Sequence, residues 1–77
     1  MKVNRRKIKE YVSDNYPLEV TFYTLQQRFI KVKLDKSGKY YTITSDTNNE
    51  LVGIKIPYEE MGYFTSDYNL IVYKVKE

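Results

Sequence analysis

The sequence contains no cysteine and no histidine among its 77 residues. Without thiols the chain has no disulfide framework, no thiolate nucleophile and no cysteine-type zinc site. Without imidazole it has no ordinary general base near neutral pH and no histidine-type metal cluster. These two absences exclude a disulfide-stapled secreted scaffold and a large part of enzyme chemistry.

Long apolar runs are also missing. The first thirty residues hold no stretch that fits a signal-peptide core or a membrane span, and cations such as Arg5 and Arg6 interrupt what hydrophobicity there is. A cytoplasmic protein with no membrane partner is the resulting prediction. Apolar residues make up 42% and aromatic residues 16% of the chain, which is typical of a folded protein. The length predicts one domain, residues 1–77.

The beginning of the chain has a helical pattern. Ile8, Tyr11 and Val12 follow the i, i+3, i+4 spacing of an amphipathic helix, and Asn4 is a suitable N-cap. Pro17 disfavours the helical conformation in the residue before it, which ends the segment. The pattern predicts a helix over residues 4–14.

From residue 18 onward the apolar residues alternate with polar ones, and β-branched and aromatic residues become frequent, as is typical of strands. The predicted strands are residues 18–24, 28–34, 39–44, 51–56 and 68–76. Asp35 and Gly38 predict a hairpin turn between the second and third strands. Residues 58–67 follow neither period cleanly, and the pattern leaves a short helical turn and a packed loop open.

These elements predict an α+β fold, in which an N-terminal amphipathic helix packs on a twisted, mostly antiparallel sheet of four to five strands. The apolar half of each period predicts the core. Its predicted members are Ile8, Tyr11, Val12, Ile30, Val32, Leu34, Ile43, Val52, Ile54, Ile56, Ile71 and Val75.

The charges are segregated along the chain. Residues 1–10 and residues 28–39 each hold five cations and one anion, whereas residues 40–70 hold one cation and five anions. In the predicted registers of the last four strands, the sheet face away from the core carries lysines and aromatic rings. No carboxylate falls on that face of these four strands. Lysines contact phosphates and rings stack on unpaired bases, so this face fits a single-stranded nucleic acid.

The candidate binding residues for nucleic acid or another acidic partner are Arg5, Arg6, Lys31, Lys33, Tyr40, Lys55, Lys74 and Lys76. A competing interpretation is that these are ordinary solvated residues, because lysine is common on exposed sheet faces, where it prevents edge-to-edge pairing.

A second candidate surface comes from the nine tyrosines of the chain. An aromatic and acidic stretch near the C-terminus fits a protein interface, since tyrosine supplies a large contact area at low entropic cost. Its residues are Tyr58, Tyr63, Phe64 and Tyr68. The competing interpretation is a loop that packs its own rings over the sheet.

The sequence offers little evidence for a catalytic site or a metal site. Glu59 and Glu60 are adjacent and point apart on a regular element, so they do not form an acid/base pair. Asp46, Asn48 and Glu50 resemble the start of a calcium loop, but Pro57 stands where the bidentate glutamate would fall. We therefore expect no enzyme activity, no metal and no cofactor.

The leading prediction is a small non-catalytic protein that binds nucleic acid or a nucleoprotein through the lysine-bearing sheet face and the basic N-terminal helix. The alternative is a stoichiometric inhibitor of the kind that phages and mobile elements encode, which blocks a host nuclease or another enzyme by direct protein contact. A homodimer is a third alternative, because the predicted inner face has more apolar positions than one short helix covers.

Overall fold

The computed structural model of the protein describes residues 17–76, which form an antiparallel sheet and one short helical segment. The strands are β1 (Glu19–Tyr23), β2 (Phe29–Leu34), β3 (Tyr40–Asp46), β4 (Lys55–Pro57) and β5 (Ile71–Lys76). Between β4 and β5 the chain forms a 3₁₀ turn (Tyr58–Glu60) and helix α1 (Met61–Asp67). The strand order β4-β3-β2-β1-β5 places β1 between β2 and β5.

The predicted fold class, with an N-terminal helix packed on the sheet, is wrong. The helical segment that packs on the described sheet is residues 58–67, which follows β4, and the predicted helix at 4–14 lies outside the described residues. Met61 and Thr65 lie four residues apart on one face of α1, and both are buried. This packing selects the helical alternative for residues 58–67, whose sequence period is ambiguous.

The core lies between one face of the sheet and this helical segment. The predicted core residues Ile30, Val32, Ile43 and Ile56 are buried, as the alternation along their strands requires. The core also contains Val20, Phe22, Tyr41, Met61 and Leu70. The buried Tyr41 hydroxyl donates a hydrogen bond to the carbonyl oxygen of Pro17 at 2.7 Å, which ties the start of the described chain to β3.

The fourth strand is shorter than the predicted range of 51–56. Val52 and Ile54, predicted in the core, are 51% and 45% exposed. The alternation fails here because Gly53 has a φ of 90° and the Ile54 N–H donates to the Leu51 carbonyl at 3.1 Å, which closes a turn. Only residues 55–57 continue as a strand against β3.

The last strand begins at Ile71 rather than at residue 68, and it contains a β-bulge. Thr21 pairs with Lys74 and Phe22 pairs with Val72, so Tyr73 is the extra residue. The extra residue shifts the inward and outward alternation of side chains by one position. Residues 71 and 72 therefore lie on the faces opposite to those that the alternation of residues 74–76 predicts. Ile71, predicted in the core, is therefore on the outer face with Tyr23, and Val72 packs against the core instead.

The turn between β1 and β2 contains a residue whose conformation favours glycine. Gln27 has a φ of 65°, and its N–H donates to the Thr24 carbonyl at 3.0 Å. A side chain in this left-handed region costs about 1 kcal/mol relative to glycine. We therefore expect Gln27→Gly to raise the melting temperature by a few degrees, whereas Gln26→Gly, outside that region, should not raise it. Equal melting temperatures in the two variants would contradict this account of the turn.

Candidate functional site

The outer face of the sheet brings four of the candidate lysines together around β1. Glu19 pairs with Lys33 on one side and Lys76 on the other, and Thr21 pairs in the same way with Lys31 and Lys74. Neighbouring strands lie about 4.8 Å apart, so each row of three residues holds two lysines about 10 Å apart. All four lysines are exposed. The result is a basic surface that crosses three adjacent strands.

The same face continues to the opposite edge of the sheet. Thr42 pairs with Lys33 on β2 and with Lys55 on β4, which extends the row that contains Glu19 across all five strands. Lys55 Nζ lies 5.0 Å from the centre of the Tyr40 ring, a cation–π contact. Tyr40 is half-buried under this lysine, so its ring is less accessible than the sequence pattern suggests.

Glu19 is a residue of this face that the charge analysis missed. Its carboxylate Oε1 lies 3.7 Å from Lys31 Nζ, and it is the sole carboxylate on the outer face among the strands within residues 17–76. An exposed pair at this distance contributes little, because solvent screens it. The alternation of residues 18–24 does place Glu19 outward, but the position of β1 between β2 and β5 depends on the strand order. Five lysines against one glutamate leave the face strongly positive.

An aromatic cluster, formed by Tyr23, Phe29 and Tyr73, lies at one end of the same face. Tyr23 and Phe29 are cross-strand partners whose ring centres are 6.3 Å apart. The Tyr73 ring is 6.0 Å from Tyr23 and 5.4 Å from Phe29, nearly perpendicular to both. Tyr73 is 63% exposed because the bulge turns it outward, although it alternates with Ile71 and Val75, which the sequence predicts in the core.

Arg28, one of the cations of the basic segment 28–39, does not belong to the binding face. Its Nε and Nη2 donate to the two carboxylate oxygens of Asp46 at 2.9 and 2.8 Å. Asp46 also accepts the backbone N–H groups of Asn48, Glu50 and Leu51. The bidentate hydrogen bond from Arg28, together with these N–H groups, holds the pKa of Asp46 well below its usual range. Asp46, considered as a metal ligand in the sequence, therefore organises a loop.

A polar cleft of about 280 Å³ opens beside this ion pair at the β1–β2 end of the sheet. Its lining consists of Thr24, Gln26, Gln27, Arg28, Thr47, Asn48 and Tyr68. Arg28 is neutralised by Asp46 and also lies 5.5 Å from the Tyr68 ring centre. The cleft thus presents amides and hydroxyls, and its cation, Arg28, is already paired with Asp46.

The four aromatic residues of the alternative interface lie on the helical side of the sheet, opposite the lysines. Tyr58 and Phe64 are half-buried and pack against the core. Phe64 and Tyr68 also contact each other, with ring centres 5.2 Å apart. Tyr63 is 60% exposed and Tyr68 is 37% exposed. The structure therefore does not gather these rings into one exposed surface.

Arg5 and Arg6 lie outside the described residues, so their position relative to the lysine face is a prediction only. Residues 17–76 contain no group of three or more acidic side chains placed to hold a metal ion. The same part of the chain has no helix long and apolar enough to cross a membrane. The described side chains thus point to surface charge and surface aromatic rings as the available chemistry.

No protein-family model matches the chain, and neither a curated protein nor a solved structure matches it significantly. A functional assignment therefore rests on the geometry of the face itself.

Proposed function

We propose that the protein is a cytoplasmic, non-catalytic binding protein whose partner is nucleic acid, held on the outer face of the sheet. The observation that carries this proposal is the placement of lysines on both sides of β1, where Lys31 and Lys74 flank Thr21, and Lys33 and Lys76 flank Glu19. Phosphate groups supply most of the affinity of nucleic acids for proteins, and exposed lysines are their usual partners. A surface with one carboxylate among five lysines attracts such a polyanion.

The charge pattern favours nucleic acid over an acidic protein because of its regularity. Lysines recur every second residue along β2 and across every second strand, so cations are spaced about 7 Å in one direction and about 10 Å in the other. The phosphates of a nucleic-acid backbone also repeat at regular intervals, so successive phosphates can each contact a lysine of this array. Nucleoprotein is included in the proposal through its nucleic-acid component.

The double variant Lys31→Glu with Lys33→Glu tests the proposal. We expect it to weaken binding to single-stranded nucleic acid and to reduce the salt slope of log K by about 0.7 for each lost phosphate contact. The measurement is fluorescence anisotropy with a labelled oligonucleotide at two or more salt concentrations, and circular dichroism confirms that the fold is kept.

A matched control is available in the β2–β3 turn. Lys36→Glu with Lys39→Glu changes the net charge by the same amount, at exposed positions outside the face. The control should retain most of the affinity and the salt slope. Equal losses in both double variants would show a nonspecific charge effect, and no loss in either would contradict the proposal.

The inhibitor alternative is supported mainly by Tyr63, the most exposed of its four rings. Because α1 and the lysines lie on opposite faces, a Tyr63→Ala variant separates the two functions. Its effect on binding to nucleic acid should be negligible. The homodimer alternative stays a prediction, and the inner-face residues Val20, Val32 and Ile43 are buried within the chain.

A further inference from the structure

The aromatic cluster of Tyr23, Phe29 and Tyr73 is unusual because it lies outside the core. Phe29 is 41% exposed and Tyr73 is 63% exposed, although both have large apolar rings that gain free energy from burial. The rings contact one another across three strands, β2, β1 and β5. An exposed apolar patch with charged residues beside it is typical of a binding surface.

We propose that this cluster is a base-stacking site and that the outer face binds single-stranded nucleic acid in preference to duplex. The inference rests on the proposed function and adds the side chains that select the single-stranded form, which the sequence pattern already favours. Every base has a flat face that stacks on an aromatic ring, but in a duplex those faces are covered by the neighbouring base pairs. Rings on an open sheet therefore bind only unpaired bases.

The geometry of the rings fits this role. Tyr23 and Phe29 lie side by side with an angle of 30° between their planes, whereas Tyr73 makes angles of 80° and 86° with them. The Tyr73 ring thus stands at a corner to the other two rings. A base can stack on one of these rings and contact the edge of another. The β-bulge creates this corner, because without the extra residue Tyr73 would not be on the same face as Lys74.

The position of the cluster relative to the lysines also fits one bound strand. Phe29 and Lys31 are two residues apart on β2, and Tyr23 and Thr21 are two residues apart on β1. The row formed by Lys31, Thr21 and Lys74 therefore lies about 7 Å from the rings. A nucleic-acid strand with one base stacked on the rings can place its phosphates against this row of lysines and continue towards Lys33 and Lys76.

The first test compares ring-deletion variants on two probes, a labelled single-stranded oligonucleotide and a duplex of the same length. Tyr73→Ala and Phe29→Ala should each weaken single-strand binding by about 5- to 150-fold, the usual effect of losing one stacked base. Duplex binding should change by less than about twofold, because it depends on phosphate contacts. Tyr73→Phe keeps the ring and should retain most of the single-strand affinity.

The control is Leu25→Ala, which removes an 80% exposed apolar side chain from the β1–β2 turn at the same end of the sheet. It should leave both affinities unchanged. A second readout uses Phe29→Trp, since the chain has no tryptophan of its own. The fluorescence of this tryptophan should be quenched by the single-stranded probe and not by the duplex.

The outcomes separate this inference from the proposed function. If lysine reversal abolishes binding while the ring deletions leave the ratio of single-strand to duplex affinity unchanged, the lysine face stands and the stacking site is overturned. If the wild-type protein binds neither probe, both proposals fail. If Tyr73→Ala converts a dimer to a monomer in light scattering and leaves binding unchanged, the rings form a contact between copies instead.

Discussion

Asp46→Ala is expected to destabilise the protein by about 3–5 kcal/mol, the usual cost of leaving one member of a buried ion pair without its partner. Proteins of this length have a total free energy of unfolding of roughly 4–11 kcal/mol, so the loss is a large part of the whole. Urea denaturation followed by circular dichroism measures it. A loss below about 1 kcal/mol would contradict the role assigned to this carboxylate.

The size of this effect follows from the number of groups that the carboxylate joins. Its two oxygens accept five hydrogen bonds, two from Arg28 and three from backbone N–H groups of residues 48–51. The Asp46 side chain is fully buried and that of Arg28 is 15% exposed. Without Asp46 the guanidinium and the three N–H groups lose their acceptor together, which is why the cost exceeds that of a surface pair.

The depressed pKa of Asp46 gives this contribution a pH dependence of known sign. In the unfolded chain an aspartate titrates near pH 3.9, whereas in the folded protein the Arg28 hydrogen bonds keep Asp46 ionised to lower pH. The contribution is therefore fully present above about pH 4 and is lost as the pH falls towards the folded pKa. Stability measured between pH 6 and pH 2 should decline less steeply in Asp46→Asn than in the wild type.

Glu50→Gln is the control for both measurements. Glu50 also faces Arg28, but at 3.6 Å and with its side chain 66% exposed. Its removal should change the free energy of unfolding by less than about 0.5 kcal/mol, as is usual for an exposed pair.

The second large effect is expected for Phe22→Ala, at about 3–5 kcal/mol. Phe22 is fully buried in β1, and its neighbours across the sheet are Ile30 and Val72. Removing its ring leaves a cavity that the surrounding sheet cannot fill, because strand pairing holds the backbone in place on both sides. The measurement is the midpoint of urea unfolding together with its slope.

Phe29→Ala is the matched control, since the same change is made on the neighbouring strand on the opposite face. Phe29 is 41% exposed and has mainly aromatic cross-strand contacts, so the cost should be about 1 kcal/mol. This variant therefore stays folded in the binding experiments. If Phe29→Ala cost more than Phe22→Ala, the assignment of the two sheet faces would be inverted.

Local sequence pattern was sufficient for several parts of the fold and the face. The alternation in residues 28–34 correctly separates the buried Ile30 and Val32 from the exposed Lys31 and Lys33. The turn at Asp35 is confirmed, with the Gly38 N–H donating to the Asp35 carbonyl at 2.9 Å and a φ of 73° at Gly38. These features depend on side-chain period and turn chemistry within a few residues, and such signals are readable without knowledge of the partners.

Contacts between residues far apart in the sequence decided the features of the fold and of the lysine face that the local pattern did not predict. Residues 58–67 became helical because α1 buries Met61 and Thr65 against the sheet, and the ion pair that shapes the loop after β3 joins residues 18 positions apart. The strand order placed Glu19 among the lysines. A bulge that exists only in the pairing of β1 with β5 moved Tyr73 outward. Strand order, bulges and long-range ion pairs follow from which segments meet in space, so no periodicity along a single strand encodes them.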